Sequence, residues 1–288
     1  PTTQAMVPKL VGPDLLAPAL TWTASGREAT TIIGPALGGV IYLFGAGALY
    51  GTSAACALLS AVILLGLDYR HEQRPRQPMT LDSLLGGFRF TWHNPVVFGS
   101  ISLDMFAVLV GSVTALLPIV ARDILQTGLW GLGLLRSAPA VGAVLMSLYL
   151  AWRPIDSRVG VKVFAAVAVF GAMIVLFGLS HSLWLSVIAL AVMGAADMIS
   201  VVIRQTLVQL ETPDEMRGRV SAVNSIFIST SNQLGEFRAG LVASLIGAAP
   251  AIVIGGLGTL AITALWAWWF PALTRRDRLD MRAGPKTK

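Results

Sequence analysis

Residues 204–247 read RQTLVQLETPDEMRGRVSAVNSIFISTSNQLGEFRAGLVASLIG, and their pattern decides the class of fold. A charged turn from Glu211 to Arg219 leads into a long, mostly apolar helical run. Glu236 and Arg238 stand inside that run, at positions where a helix crossing lipid should carry nothing ionised. The first segment of the chain repeats the unit in worn form, about 200 residues upstream. Gln4 answers Gln205, Pro13 and Asp14 answer Pro213 and Asp214, Gly34 answers Gly235, and Gly39 answers Gly240. That period is too long for a solenoid. It fits the repeated halves of a secondary transporter, although matches this short also arise by chance.

Composition points the same way. Hydrophobic residues make up 55% of the chain and charged residues 12%, against about 45–50% and about 25% in soluble domains. So little charge cannot cover a globular surface, and lipid must solvate much of it. The net charge of +6 gathers in a few loops and the tail. There is no basic stripe interleaved with aromatics, so no nucleic-acid partner is expected. Cys56 is the single cysteine, which excludes an intramolecular disulfide and a thiolate metal cluster. His71 and His93 lack paired ligand spacing, and no metal or cofactor is expected. No HExxH, GxSxG, P-loop or complete GxGxxG occurs, so the chain is not expected to be an enzyme. The opening PTTQAMVPKL has neither an initiator Met nor a signal-peptide layout. It reads as the middle of a longer protein.

A membrane span needs about 20 residues. Hydropathy predicts about eight, at about 21–44, 46–67, 96–121, 129–152, 163–180, 183–203, 220–246 and 251–270. The fold class is therefore all-α, a polytopic membrane helix bundle. Residues 68–95 interrupt the series with a basic, Pro-containing linker. In it, Leu81, Leu84, Leu85, Phe88 and Trp92 recur at helical spacing after Thr80 as N-cap. This predicts a short amphipathic helix, either lying on the membrane surface or tucked against the bundle. Trp266, Trp268 and Trp269 suit the headgroup level.

Lysines and arginines set a topology. They occur in the linker (Arg70, Arg74, Arg76, Arg89), in the loop 153–162 (Arg153, Arg158, Lys162), in the loop 204–219 (Arg204, Arg217, Arg219) and in the tail from Arg275. The connections near Gly45–Gly47, His181–Ser182 and Gly247–Pro250 have none, and only the one near Arg122 departs from the alternation. The positive-inside rule places the basic loops and both chain ends in the cytoplasm, in a multi-pass protein. The domain reading is residues 1–67 as the end of an N-terminal half, 68–95 as linker, 96–274 as a C-terminal six-helix half and 275–288 as a loose basic tail.

Five ionisable residues fall inside predicted spans: Asp104, Arg136, Asp197, Glu236 and Arg238. Each costs about 2.5–3.5 kcal/mol at mid-membrane on insertion scales, so they need partners or a water-filled cavity. Three acids and two bases either line a polar pathway and carry protons, with Asp104 and Glu236 as the better proton carriers, or form a structural ion-pair network. Asp197 also stands within two helical turns of Arg204 and is a candidate partner for it.

Three stretches carry a family resemblance. Ile32 to Gly39, IIGPALGG, resembles the glycine-proline motif of the fifth helix in antiporter members of the major facilitator superfamily. Glu211 to Val223, ETPDEMRGRVSAV, is similar to the loop between the tenth and eleventh helices in that superfamily's enterobactin-exporter branch. Asp156 to Lys162, DSRVGVK, looks like a degenerate D-R-x-G-R-K loop between helices eight and nine, with Ser157 inserted and Val161 in place of a base. The resemblance implies that the chain supplies helices five to twelve, with four helices of the same protein preceding them. It implies alternating access, proton-coupled efflux, and a small amphiphilic substrate such as a siderophore or drug-like molecule. Gly34, Pro35, Gly38 and Gly39 would pack two helices closely. Asp156, Arg158, Gly160, Arg217, Gly218 and Arg219 would form cytoplasmic gating loops, or would only set topology. A scaffold or sensor of the same fold that no longer transports is the alternative.

Overall fold

The computed structural model describes residues 45–65, 81–153, 155, 157–213 and 216–277, with isolated positions 30, 34, 37, 38 and 41. These residues are helical apart from short connections, and no strand occurs among them. The chain divides into two compact units, Pro1–Gln77 and Pro78–Lys288.

In the first unit, α1 (Ala46–Leu65) starts after Gly45, whose φ of 98° suits a residue without Cβ. Its apolar side chains, Leu58, Leu59 and Val62 among them, are exposed. The predicted span 21–44 lies outside the described residues except at isolated positions, and so do Pro35 and Gly39 of the glycine motif. Gly34 and Gly38 are helical. A Cβ on Gly38 would meet only the Leu49 side chain, and one on Gly34 would meet no described atom.

The second unit is a bundle. It comprises α2 (Leu81–His93), α3 (Pro95–Gly111), α4 (Gly128–Trp152), α5 (Val159–Leu179), α6 (Leu183–Glu211), α7 (Arg217–Ile246), α8 (Ala248–Trp269) and a last turn, α9 (Pro271–Thr274). Asn94 starts α3: its side chain accepts from the Val96 and Val97 amides at 3.1 and 3.2 Å, and Pro95 fills the first helical position. The predicted span 96–121 is not one smooth helix. Beyond Gly111 the chain passes through a 3₁₀ turn (Thr114–Leu116), one turn of α-helix (Leu117–Ile119) and a π-turn (Val120–Ile124).

The main packing pairs are α4 with α6, α5 with α8, and α5 with α6, while α3 lies against α7 and α8. Small residues let α4 and α6 touch at the backbone. A Cβ on Gly142 would collide with the Ala191 carbonyl, and one on Gly194 with the Pro139 carbonyl. Buried Leu116, Leu135, Ile174, Leu190 and Ile252 form one core, and Leu103, Val159, Ile203, Leu207 and Leu273 another.

Six helical segments among the described residues are long and apolar enough to cross a membrane. The 30-residue α7 is as long but more polar and is not among them. One expectation needs correction. The span predicted to end at 203 continues in α6 to Glu211, so Arg204 is not a loop base: it lies inside the bundle, 3% exposed. The Trp266 indole is buried and donates to Ser102 Oγ at 2.9 Å, while Trp268 and Trp269 remain exposed.

The amphipathic helix forms as α2, and of the two predicted placements its contacts favour the bundle. Gly87 lies against the backbone of Arg219, and Phe88 stacks on Phe227 with ring centroids 6.3 Å apart. The tail is tied down at its start. Arg276 pairs with Glu211 at 2.5 Å, its carbonyl accepts from the Gly160 amide at 2.9 Å, and the Asp277 side chain accepts from the Arg158 amide at 3.2 Å.

Candidate functional site

α3 brings Asp104 against α6, where it forms an ion pair with Arg204. Both are buried, Asp104 to 8% exposure. Two turns before Arg204 on the same helix, Asp197 lines a cavity of about 10 Å³ together with Asp104, Ser200 and Phe170, room for about one water. Asp197 itself makes no ion pair among the described residues, and its expected pairing with Arg204 does not occur: Arg204 turns across to α3 instead. Arg204 Nε has no hydrogen-bond partner among the described residues. Asp104 and Asp197 thus face one small cavity, and of the two only Asp104 has an ion-pair partner among the described residues.

Arg238 has a different task. From α7 it donates through Nε to the Leu109 carbonyl at 3.0 Å and through Nη2 to the Val110 carbonyl at 2.5 Å. These are last-turn carbonyls of α3, which lack helical partners and carry the negative end of the dipole. Arg238 therefore caps the broken end of α3, about 8 Å along the helix from Asp104. Close approach supports the same spot: a Cβ on Gly255 would meet the Val110 carbonyl at 2.7 Å, and one on Gly235 the Val108 carbonyl at 3.0 Å.

Arg136 on α4 and Glu236 on α7 are both exposed and form no ion pair among the described residues. The five ionisable residues therefore do not form one cluster. They divide into a buried acid pair with Arg204, a helix cap, and two uncovered charges.

Glu236 belongs to a larger pattern. Ser221, Ser225, Ser229, Asn232 and Glu236 recur along one face of α7, and all are exposed. Val220, Val223, Ser231, Gly235 and Ala239 lie on the buried face. Ile226, Leu234, Phe237, Leu241 and Leu245 make a third, exposed and apolar stripe. α7 thus shows one face to its neighbours, one fit for lipid and one fit for water. The serine spacing was present in the sequence, where only Glu236 drew attention. Arg204 was hidden because hydropathy ended its helix too early.

On the side of the basic loops, Arg158 has a left-handed φ of 53° just before α5. Gly160 packs under the carbonyls of Leu273 and Thr274, which leaves no room for a side chain. Gly218 and Arg219 are exposed at the start of α7, and Arg217 is its first residue. Asp156 lies outside the described residues. No group of residues fit to hold a metal ion occurs among those described.

Residues 1–285 match the family profile described as transmembrane secretion effector. The enterobactin exporters EntS of Shigella boydii serotype 18, Escherichia coli O81 and Escherichia coli O139:H28 are 28% identical to this chain over 262 residues, which cover 91% of it and 63% of each exporter. The chain thus spans less than two thirds of the length of these curated relatives.

Proposed function

We propose, from the premise that this chain belongs to the transmembrane secretion effector family of the major facilitator superfamily, that it is the larger part of an exporter in a bacterial inner membrane. One observation carries the reading. The uncovered face Ser221–Ser225–Ser229–Asn232–Glu236 runs along a helix whose other exposed face is apolar. Polar groups within a membrane face the bundle interior or a water-filled cavity. This face would be one wall of the transport pathway, and the other wall would come from the preceding half of the protein. In that arrangement residues 1–67 belong to the first half, 68–95 join the halves, and 96–274 form the second, with the basic loops and both ends of this chain in the cytoplasm.

Export would proceed by alternating access coupled to protons. The Asp104–Arg204 pair and the free Asp197 supply a buried site whose proton occupancy depends on how α3 and α6 are packed. Contacts of Arg158, Gly160 and Glu211 with residues 273–277 tie the cytoplasmic ends of α5, α6 and α9 together. They would act as a latch for one conformation. The substrate class supported by the similarity to enterobactin exporters is a small amphiphilic molecule, a siderophore or a drug-like compound.

The test is transport by the full-length protein in vesicles, across a panel of siderophores and hydrophobic drugs. Export that collapses on adding a protonophore and is lost in Glu236→Gln supports the proposal. Export that persists without a proton gradient removes the coupling. Absence of any transport, with Glu236→Gln behaving as the parent in every assay, favours a membrane scaffold or sensor.

A further inference from the structure

We infer that the groove between α4, α5 and α6, on the side of the basic loops, is a binding site for an anionic phospholipid. The groove has a volume of about 540 Å³. Its walls are Met146, Leu150, Val169, Val192, Ile199 and intervening alanines, and its rim carries Tyr149, Arg153 and Lys162. The two cations stand at one end only: Arg153 directly follows α4, and Lys162 lies in the first turn of α5. Both are exposed, and among the described residues no acidic one lines the groove.

Dimensions and chemistry select the occupant. From Arg153 back to Met146 the apolar wall extends about 10 Å along α4, about two thirds of the hydrocarbon depth of one leaflet. Acyl chain therefore meets aliphatic wall, and headgroup meets the cations. Leu145, Leu148 and Trp152 flank the groove on α4 and are exposed, a surface made for lipid rather than water. Trp152 beside Arg153 marks the headgroup level. Two cations with no ion-pair partner among the described residues favour a phosphate without a neighbouring ammonium, hence an anionic headgroup over a zwitterionic one. The inference does not depend on transport, because binding can be read in a protein that moves nothing.

The test uses delipidated full-length protein titrated with phosphatidylglycerol or phosphatidylcholine and read by native mass spectrometry. Phosphatidylglycerol should bind in preference. The R153A/K162A variant should lose about thirtyfold in apparent phosphatidylglycerol affinity, since each surface cation contributes about fivefold. R275A, a cation outside the groove, should lose nothing. R153K/K162R should keep the preference, and A195F, which fills the groove, should weaken both lipids. Equal affinity for the two lipids would overturn the inference, as would a preference that survives R153A/K162A, or A195F binding as the parent does. Should R153A/K162A not fold, R153K/K162R and A195F decide alone. Displacement of the lipid by a transported solute, with phosphatidylglycerol affinity unchanged in R153A/K162A, would make the groove a substrate site instead.

Discussion

Arg204 and Asp104 hold each other inside the bundle, and the cost of separating them is set by burial. Removing one partner of a buried pair leaves an uncompensated charge, worth about 3–5 kcal/mol. Arg204→Met should therefore lower thermal stability in detergent by that order, and Asp104→Leu/Arg204→Met should recover most of it. Recovery is expected because a well-packed apolar pair replaces a desolvated ionic one at little net cost. Asp197 lines the cavity beside Asp104 with no ion-pair partner among the described residues. Asp197→Asn should leave the melting temperature near that of the parent while slowing proton-driven export. A melting temperature that falls as far as in Arg204→Met would show Asp197 to be structural. Arg238, by contrast, donates to the last carbonyls of α3.

Among the elements, α7 makes the sharpest claim, because its three faces demand three environments. With Cys56, the chain's single cysteine, first replaced by serine, thiols can be placed at will. Ser225→Cys, Ser229→Cys and Asn232→Cys in the full-length protein should react with a membrane-impermeant thiol reagent. Leu234→Cys and Leu241→Cys should not, because lipid covers them. Equal reactivity on both stripes would mean that α7 does not border a water-filled path. The kinked end of α3 depends on its neighbours in a similar way. Near the irregular turns after Gly111, the Leu109 and Val110 carbonyls accept from Arg238, and α7 and α8 approach α3 closely.

At the scale of the whole molecule, the exposed ion pair on the basic side adds little to stability. Arg276 and Glu211 pair at 2.5 Å, with side chains about a third and a quarter exposed (32% and 24%). A pair so open to solvent contributes at most about 1 kcal/mol. Glu211→Gln should leave the fold intact and change the export rate of the full-length protein, measured in vesicles at fixed proton gradient. A large loss of folded protein instead would make the contact part of the core. The span count shows how far local pattern reaches. Predicted spans at 129–152, 163–180 and 251–270 became α4, α5 and α8 with shifts of at most four residues at their ends. Sustained apolarity over about 20 residues is a local property that any correct fold must respect.

What the sequence alone determined was the all-helical membrane class, the places of most helices, the amphipathic α2 and the family motifs, because each depends on residues close together in the chain. It also singled out Asp104, Asp197, Glu236 and Arg238 as out of place in lipid. Their roles had to wait for tertiary structure. Arg204 meets Asp104 across a hundred residues of chain, and Arg238 reaches Leu109 and Val110 from farther still. A charge in a span announces that it needs a partner, but which partner it finds depends on how distant helices pack.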